Sequence, residues 1–142
     1  MDPLKKKYTG LDETGMEQLA GELASSLAAG TCVALYGDLG AGKTFLVRKI
    51  CHSLGVDASL VRSPTFTLLN IYETSTLTVY HLDLYRLSDS DEVYDLGYDD
   101  IIAGGGIVFI EWPEKIEAML PDLTIRIGLT IEEDGLRRAE IS

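Results

Sequence analysis

The chain has 142 residues, 46% of them hydrophobic and 25% charged, values that suit one packed core and exclude a disordered tail or a collagen-like repeat. No apolar run reaches the roughly 18 residues of a membrane helix, and the basic start, Met1 to Lys7, is followed by no signal-type apolar stretch. Twelve Lys and Arg against 23 Asp and Glu leave a net charge of −11, so the chain is a poor autonomous binder of DNA, RNA or anionic membrane, and a partner has to supply the grip on any nucleic acid.

In chain order, residues 1–8 read as a frayed start of one domain spanning 1–142. Thr14-Gly-Met-Glu17 has the form of a capping box opening a helix that runs to about Ala29 and stops at Gly30. Leu19, Leu23 and Leu27 recur along it at helical spacing as a core stripe. Thr31 to Tyr36 is a short apolar run of the kind buried on both faces of a central strand. A glycine-rich turn follows, then a helix from about Lys43 to Leu54 closed by Gly55. Leu68 to Glu73 and Leu77 to Leu84 are β-prone runs around a short polar turn, hence a hairpin. Ser88 to Leu96 reads as a helix ended by Gly97, and Ile107 to Glu111 as another buried strand. Pro113 begins a brief helix that Pro121 terminates, and Leu123 to Ile131 and Leu136 to Ile141 flank Asp134-Gly135, a hairpin turn signal. The sum is an α/β fold of P-loop type, a mixed sheet with flanking helices and antiparallel hairpin additions.

The segment Gly37-Asp38-Leu39-Gly40-Ala41-Gly42-Lys43-Thr44 is a full match to G-x-x-x-x-G-K-[ST], preceded by a strand pattern and followed by a helix pattern as that motif requires. Glycines let the backbone curl so that its N–H groups point at a phosphate, and the helix adds its positive N-terminal dipole. Lys43 then serves the β- and γ-phosphates while the Thr44 hydroxyl is placed to ligate Mg²⁺. Two strand patterns end in an acid, Val79-Tyr-His-Leu-Asp83 and Ile107-Val-Phe-Ile-Glu111, at the strand edge where α/β folds bind ligands. One of these carboxylates is expected to hold the metal and the other to orient or deprotonate the attacking water. No N-K-x-D string supplies a guanine site, so ATP is the expected nucleotide, and the short connections, too short for a lid, make a small-molecule kinase the lesser alternative.

Four marks in order resemble the bacterial TsaE (YjeE) family from about Thr14 to Arg137: the phosphate loop Gly37 to Thr44, then Ser63-Pro-Thr-Phe66, His81-Leu-Asp-Leu-Tyr-Arg86 and Glu111-Trp-Pro-Glu114. The resemblance implies a P-loop ATPase, slow by itself, that acts with the TsaD and TsaB proteins in making threonylcarbamoyladenosine in tRNA, with tRNA reached only through that complex. It implies that Thr44, Glu111 and Asp83 serve Mg²⁺, and that Ser63 to Phe66, with Thr65 at its centre, is a switch loop near the γ-phosphate. It also implies that Trp112 matters to function and that Thr14 and Arg137 help enclose the nucleotide. Phe45 departs from the family, many of whose members carry a second small hydroxyl residue there, although its backbone N–H can still meet a phosphate.

The other features read as structural. Cys32 and Cys51 lack disulfide or metal spacing and suit buried thiols in a reducing cytoplasm. His81 lies in an apolar strand and reads first as a core histidine, and His52 as a surface one. The acids Asp89, Asp91, Glu92, Asp95, Asp99 and Asp100 suit a solvated face, with a docking patch for a basic partner as the sharper reading. A rival for the function is a nucleotide-gated binding module in which hydrolysis is incidental.

Overall fold

The computed structural model describes residues 6–61 and 67–142. Seven strands form one sheet in the order β1-β7-β6-β2-β5-β4-β3. They are β1 (Lys6–Leu11), β2 (Cys32–Tyr36), β3 (Leu69–Glu73), β4 (Thr78–Asp83), β5 (Ile107–Glu111), β6 (Ile125–Ile131) and β7 (Arg137–Ile141). The four central strands β4, β5, β2 and β6 run parallel, while β3, β7 and β1 add antiparallel pairings at the edges. The mixed sheet with hairpin additions is therefore as expected.

Alternation along the buried strands separates two core layers. Val33 and Leu35 of β2, Ile107 and Phe109 of β5, and Ile127 and Leu129 of β6 face the helices α1 (Glu13–Ser26) and α2 (Lys43–Ser53). On the other face Cys32, Ala34, Val108 and Ile110 meet the short helices α3 (Glu92–Asp95) and α4 (Tyr98–Ala103) and the 3₁₀ segment Pro113–Met119. Leu19 and Leu23 of α1 are buried and Leu27 is packed against the same layer, so the leucine stripe is core. Both cysteines are free and buried, and His52 is exposed.

Four local expectations fail, each for a physical reason. Lys6 to Tyr8 are not frayed but pair with Ile141, Glu140 and Ala139 as the edge strand β1. The α1 cap is Asp12 rather than Thr14: its carboxylate accepts from the Gly15 N–H at 2.7 Å, so the helix starts earlier and ends at Ser26. Ser88 to Leu96 is a single turn, α3, and Gly97, in the left-handed region at φ 82°, opens α4 instead of merely ending a helix. Strand β6 begins at Ile125 because Leu123 is 92% exposed and Thr124 bonds back to the Pro121 carbonyl.

Candidate active site

Strand β2 and helix α2 are consecutive, and the turn between them has to reverse direction within a few residues while leaving its N–H groups free. Gly37 does this at φ 148°, and a Cβ there would stand 2.6 Å from the Leu129 carbonyl oxygen, so only glycine fits between loop and β6. Gly42, at φ 107°, occupies the N-cap of α2 with no side-chain cap bond, so no side chain competes for the first-turn amides. Asp38, Leu39 and Gly40 form the exposed tip of the turn, Ala41 is buried, and Phe45 is half-buried in the first turn of α2.

Lys43 is 5% exposed. Its ammonium donates to the Gly37 carbonyl and lies 3.6 Å from the centre of the Trp112 ring, a cation–π contact. Burial pushes the pKa of Lys43 down, opposed by the charges of Glu111, Glu114, Asp83 and Asp38. The lysine is thus curled back onto its own loop, and a phosphate would draw it outward. Trp112, immediately after β5, holds φ 60°, a left-handed conformation that costs a non-glycine residue roughly 1–2 kcal/mol. That twist sets the indole against Lys43 and puts its ring 5.0 Å from that of Tyr85.

The two strand-end acids meet. Asp83 and Glu111 are register partners on β4 and β5, so their side chains leave the same face, towards α2. Both are 3% exposed. The Thr44 hydroxyl lies 3.0 Å from each Glu111 oxygen, while Asp83 accepts from the Tyr85 N–H at 3.0 Å. Lys43, Thr44, Phe45, Asp83 and Glu111 line one 220 Å³ cleft with the loop tip. Three hard oxygen donors beside the glycine-rich turn suit Mg²⁺, which keeps several waters and takes few protein ligands besides phosphate oxygens.

Across the loop a second cavity, 490 Å³, is bounded by Leu11, Asp12, Met16, Phe45, Leu136 and Arg137, among others. Arg137 reaches it from β7 and donates to the Ala41 and Gly40 carbonyls at 3.0 and 3.1 Å, bracing the phosphate loop from the far side. Thr14 stands exposed on the first turn of α1 and does not line this cavity, although Glu13 and Met16 on either side of it do. Thr65, with the whole Ser63 to Phe66 segment, lies outside the described residues.

The family profile of the threonylcarbamoyl adenosine biosynthesis protein TsaE matches residues 11–139. The chain belongs to the TsaE family. It is 41% identical to a TsaE of Rickettsia felis, over 92% of this chain and 75% of that one. With the Bacillus subtilis TsaE it shares 37% identity across 100% of this chain and 85% of its relative. The crystal structure of Bacillus subtilis YdiB superposes with a TM-score of 0.79 at 28% identity, covering 96% of this chain and 84% of that one. The role of this TsaE family member accordingly lies in threonylcarbamoyladenosine biosynthesis.

Sequence reasoning missed two parts of the site. Asp12, Met16 and Leu136 are ordinary residues until the start of α1 and the β6–β7 turn bring them beside the phosphate loop. His81 reads as a core histidine and is one by burial, at 0% exposed, but its Nε2 lies 2.6 Å from Glu111 Oε2. The signal available was its spacing: two residues before Asp83 on a strand paired with the strand that ends in Glu111.

Proposed function

We propose that this chain is a Mg²⁺-dependent ATPase that serves tRNA N6-threonylcarbamoyladenosine formation as an accessory subunit, working in the cytoplasm through a complex with TsaD and TsaB. The observation that carries the reading is the convergence of Thr44, Glu111 and Asp83 beside the phosphate loop, the hydroxyl 3.0 Å from both Glu111 oxygens. Loop amides from Gly40 to Thr44 and the Lys43 ammonium would bind and neutralise the phosphate oxygens of ATP. Thr44 and Glu111, with Asp83 at the same centre, would hold Mg²⁺, which supplies charge neutralisation on the β- and γ-phosphates. Of Asp83 and Glu111, the one that does not ligate the metal directly would orient the attacking water and take its proton. The 490 Å³ cavity beside Gly40 and Gly42 is the space for the nucleoside, with Phe45, Met16 and Leu11 as its apolar walls. The net charge of −11 supports the partner-borne approach to tRNA.

The test is reconstituted tRNA modification with TsaD and TsaB over many turnovers. Lys43→Ala and Glu111→Ala should each lower ATP hydrolysis by roughly 100-fold or more, while Glu111→Ala still retains ATP by calorimetry. Full turnover by Glu111→Ala would remove that carboxylate from the centre. If a non-hydrolysable ATP analogue sustains repeated rounds, the chain is a nucleotide-gated module and not a working ATPase.

A further inference from the structure

The proposed mechanism uses Glu111 but leaves unexplained how its carboxylate is kept in one orientation. Thr44 cannot do this alone. Its hydroxyl carries one proton yet stands 3.0 Å from both carboxylate oxygens, so it can donate to only one at a time. It is also the group that the phosphate-loop motif commits to the metal. Among the described residues, the other hydrogen-bonding contact to the carboxylate is His81, whose Nε2 approaches Oε2 at 2.6 Å from a fully buried ring.

The fully buried imidazole fills core space, but bulk alone does not call for a ring with two nitrogens. Its Nδ1 has no hydrogen-bond partner among the described residues, and the Tyr72 ring stands with its centroid 6.4 Å away. A residue chosen only to fill this layer would be apolar, because a buried polar nitrogen without a partner is a standing cost. His81 pairs with Phe109 in register, and Glu111 lies two residues further along the same face, so the ring reaches the carboxylate diagonally across two parallel strands. Both ends of the contact are thereby fixed by the sheet and not by a loop.

We propose that His81 is a positioning residue for Glu111: its Nε2–H donates to Oε2 and holds the carboxylate plane while Thr44 turns to its own ligand. This rests on the ATPase reading above. Because Glu111 accepts, the proton sits on Nε2 and the orphaned Nδ1 is a bare lone pair, a lighter burden than an orphaned N–H.

Three measurements on the full chain decide it. Nitrogen NMR of the nucleotide-free protein should show the Nε2–H tautomer, and the Nδ1–H tautomer would overturn the proposal. His81→Phe, which keeps the bulk and removes the donor, should lower kcat about 30-fold, well beyond the roughly fivefold rise in KM for MgATP that a loosened metal site brings. His81→Gln, whose amide N–H reaches about as far, should recover kcat to within about fivefold of the parent. Unchanged kcat in His81→Phe, or equal losses in both variants, would reduce His81 to packing. Calorimetry of ADP binding separates this proposal from the ATPase reading. His81→Phe should weaken the Mg²⁺-dependent part of the affinity at least about fivefold and leave the metal-free part unchanged. If the parent protein hydrolyses no ATP, the ATPase reading fails by itself, and the tautomer and calorimetry still judge His81. No effect of His81→Phe on the Mg²⁺-dependent affinity overturns the positioning role.

Discussion

At the scale of single residues, the site depends on positions where one side chain more or less changes everything. Gly37 is the sharpest case, because any Cβ meets the Leu129 carbonyl at 2.6 Å and the backbone already stands at φ 148°. Gly37→Ala should therefore destabilise the fold by about 2 kcal/mol or more, read by chemical denaturation, and abolish ADP binding in calorimetry, since loop and β6 must separate. The phosphate loop was legible in the sequence because its chemistry is local: eight consecutive residues carry the whole demand. Asp83 and Glu111 were legible as strand-end acids, yet their meeting is a matter of register, which no run of residues declares. His81 hid for the same reason, its partner being 30 residues away.

At the scale of elements, the β6–β7 hairpin does more than extend the sheet. Its Asp134-Gly135 turn was readable from sequence, but the consequence was not: Arg137, two residues on, crosses to the phosphate loop and donates to two of its carbonyls. Arg137→Ala should lower nucleotide affinity by about tenfold while moving the melting temperature by only a few degrees, because the lost bonds brace the loop and not the core. An affinity equal to that of the parent would show that the loop holds its shape without this brace. The elements that sequence misread share one property: tertiary contact decided them. Strand β1 exposes most of its side chains and carries two lysines, the polar dress of an edge strand that leaves no apolar signal. The segment from Ser88 to Leu96 lacks helical periodicity, and what orders it is the burial of Leu87, Val93 and Tyr98 against the sheet. Its aspartates Asp89, Asp91 and Asp95 stay in solvent, as do Asp99 and Asp100 on α4.

At the scale of the whole molecule, one thiol sits in each core layer, Cys51 on the buried side of α2 and Cys32 on the opposite face of the sheet. Burial raises Cys32 to about 11 and Cys51 to about 12 from an ordinary 9.0. The folded chain keeps both protonated where the unfolded chain ionises them, so their contribution is complete below pH 9 and is lost as pH climbs through the folded values. Stability should fall by about 1 kcal/mol per thiol by pH 10, measured by denaturant titration against pH, and the double variant Cys32→Ala with Cys51→Ala should flatten the fall. Lys43 has the opposite sign: its pKa is lowered on folding, so its penalty fades as pH approaches 10.5 and partly masks the thiols. An alkaline curve as steep in the double variant as in the parent would mean that neither thiol is sealed from water.

The indole at position 112 is the chain's sole tryptophan, and the cation it shelters belongs to the phosphate loop. Ultraviolet emission excited selectively from this protein therefore comes from one corner only, so its intensity records whether that lysine is at home or drawn away. No dye needs to be attached: the chain carries its own lamp, set against that lysine.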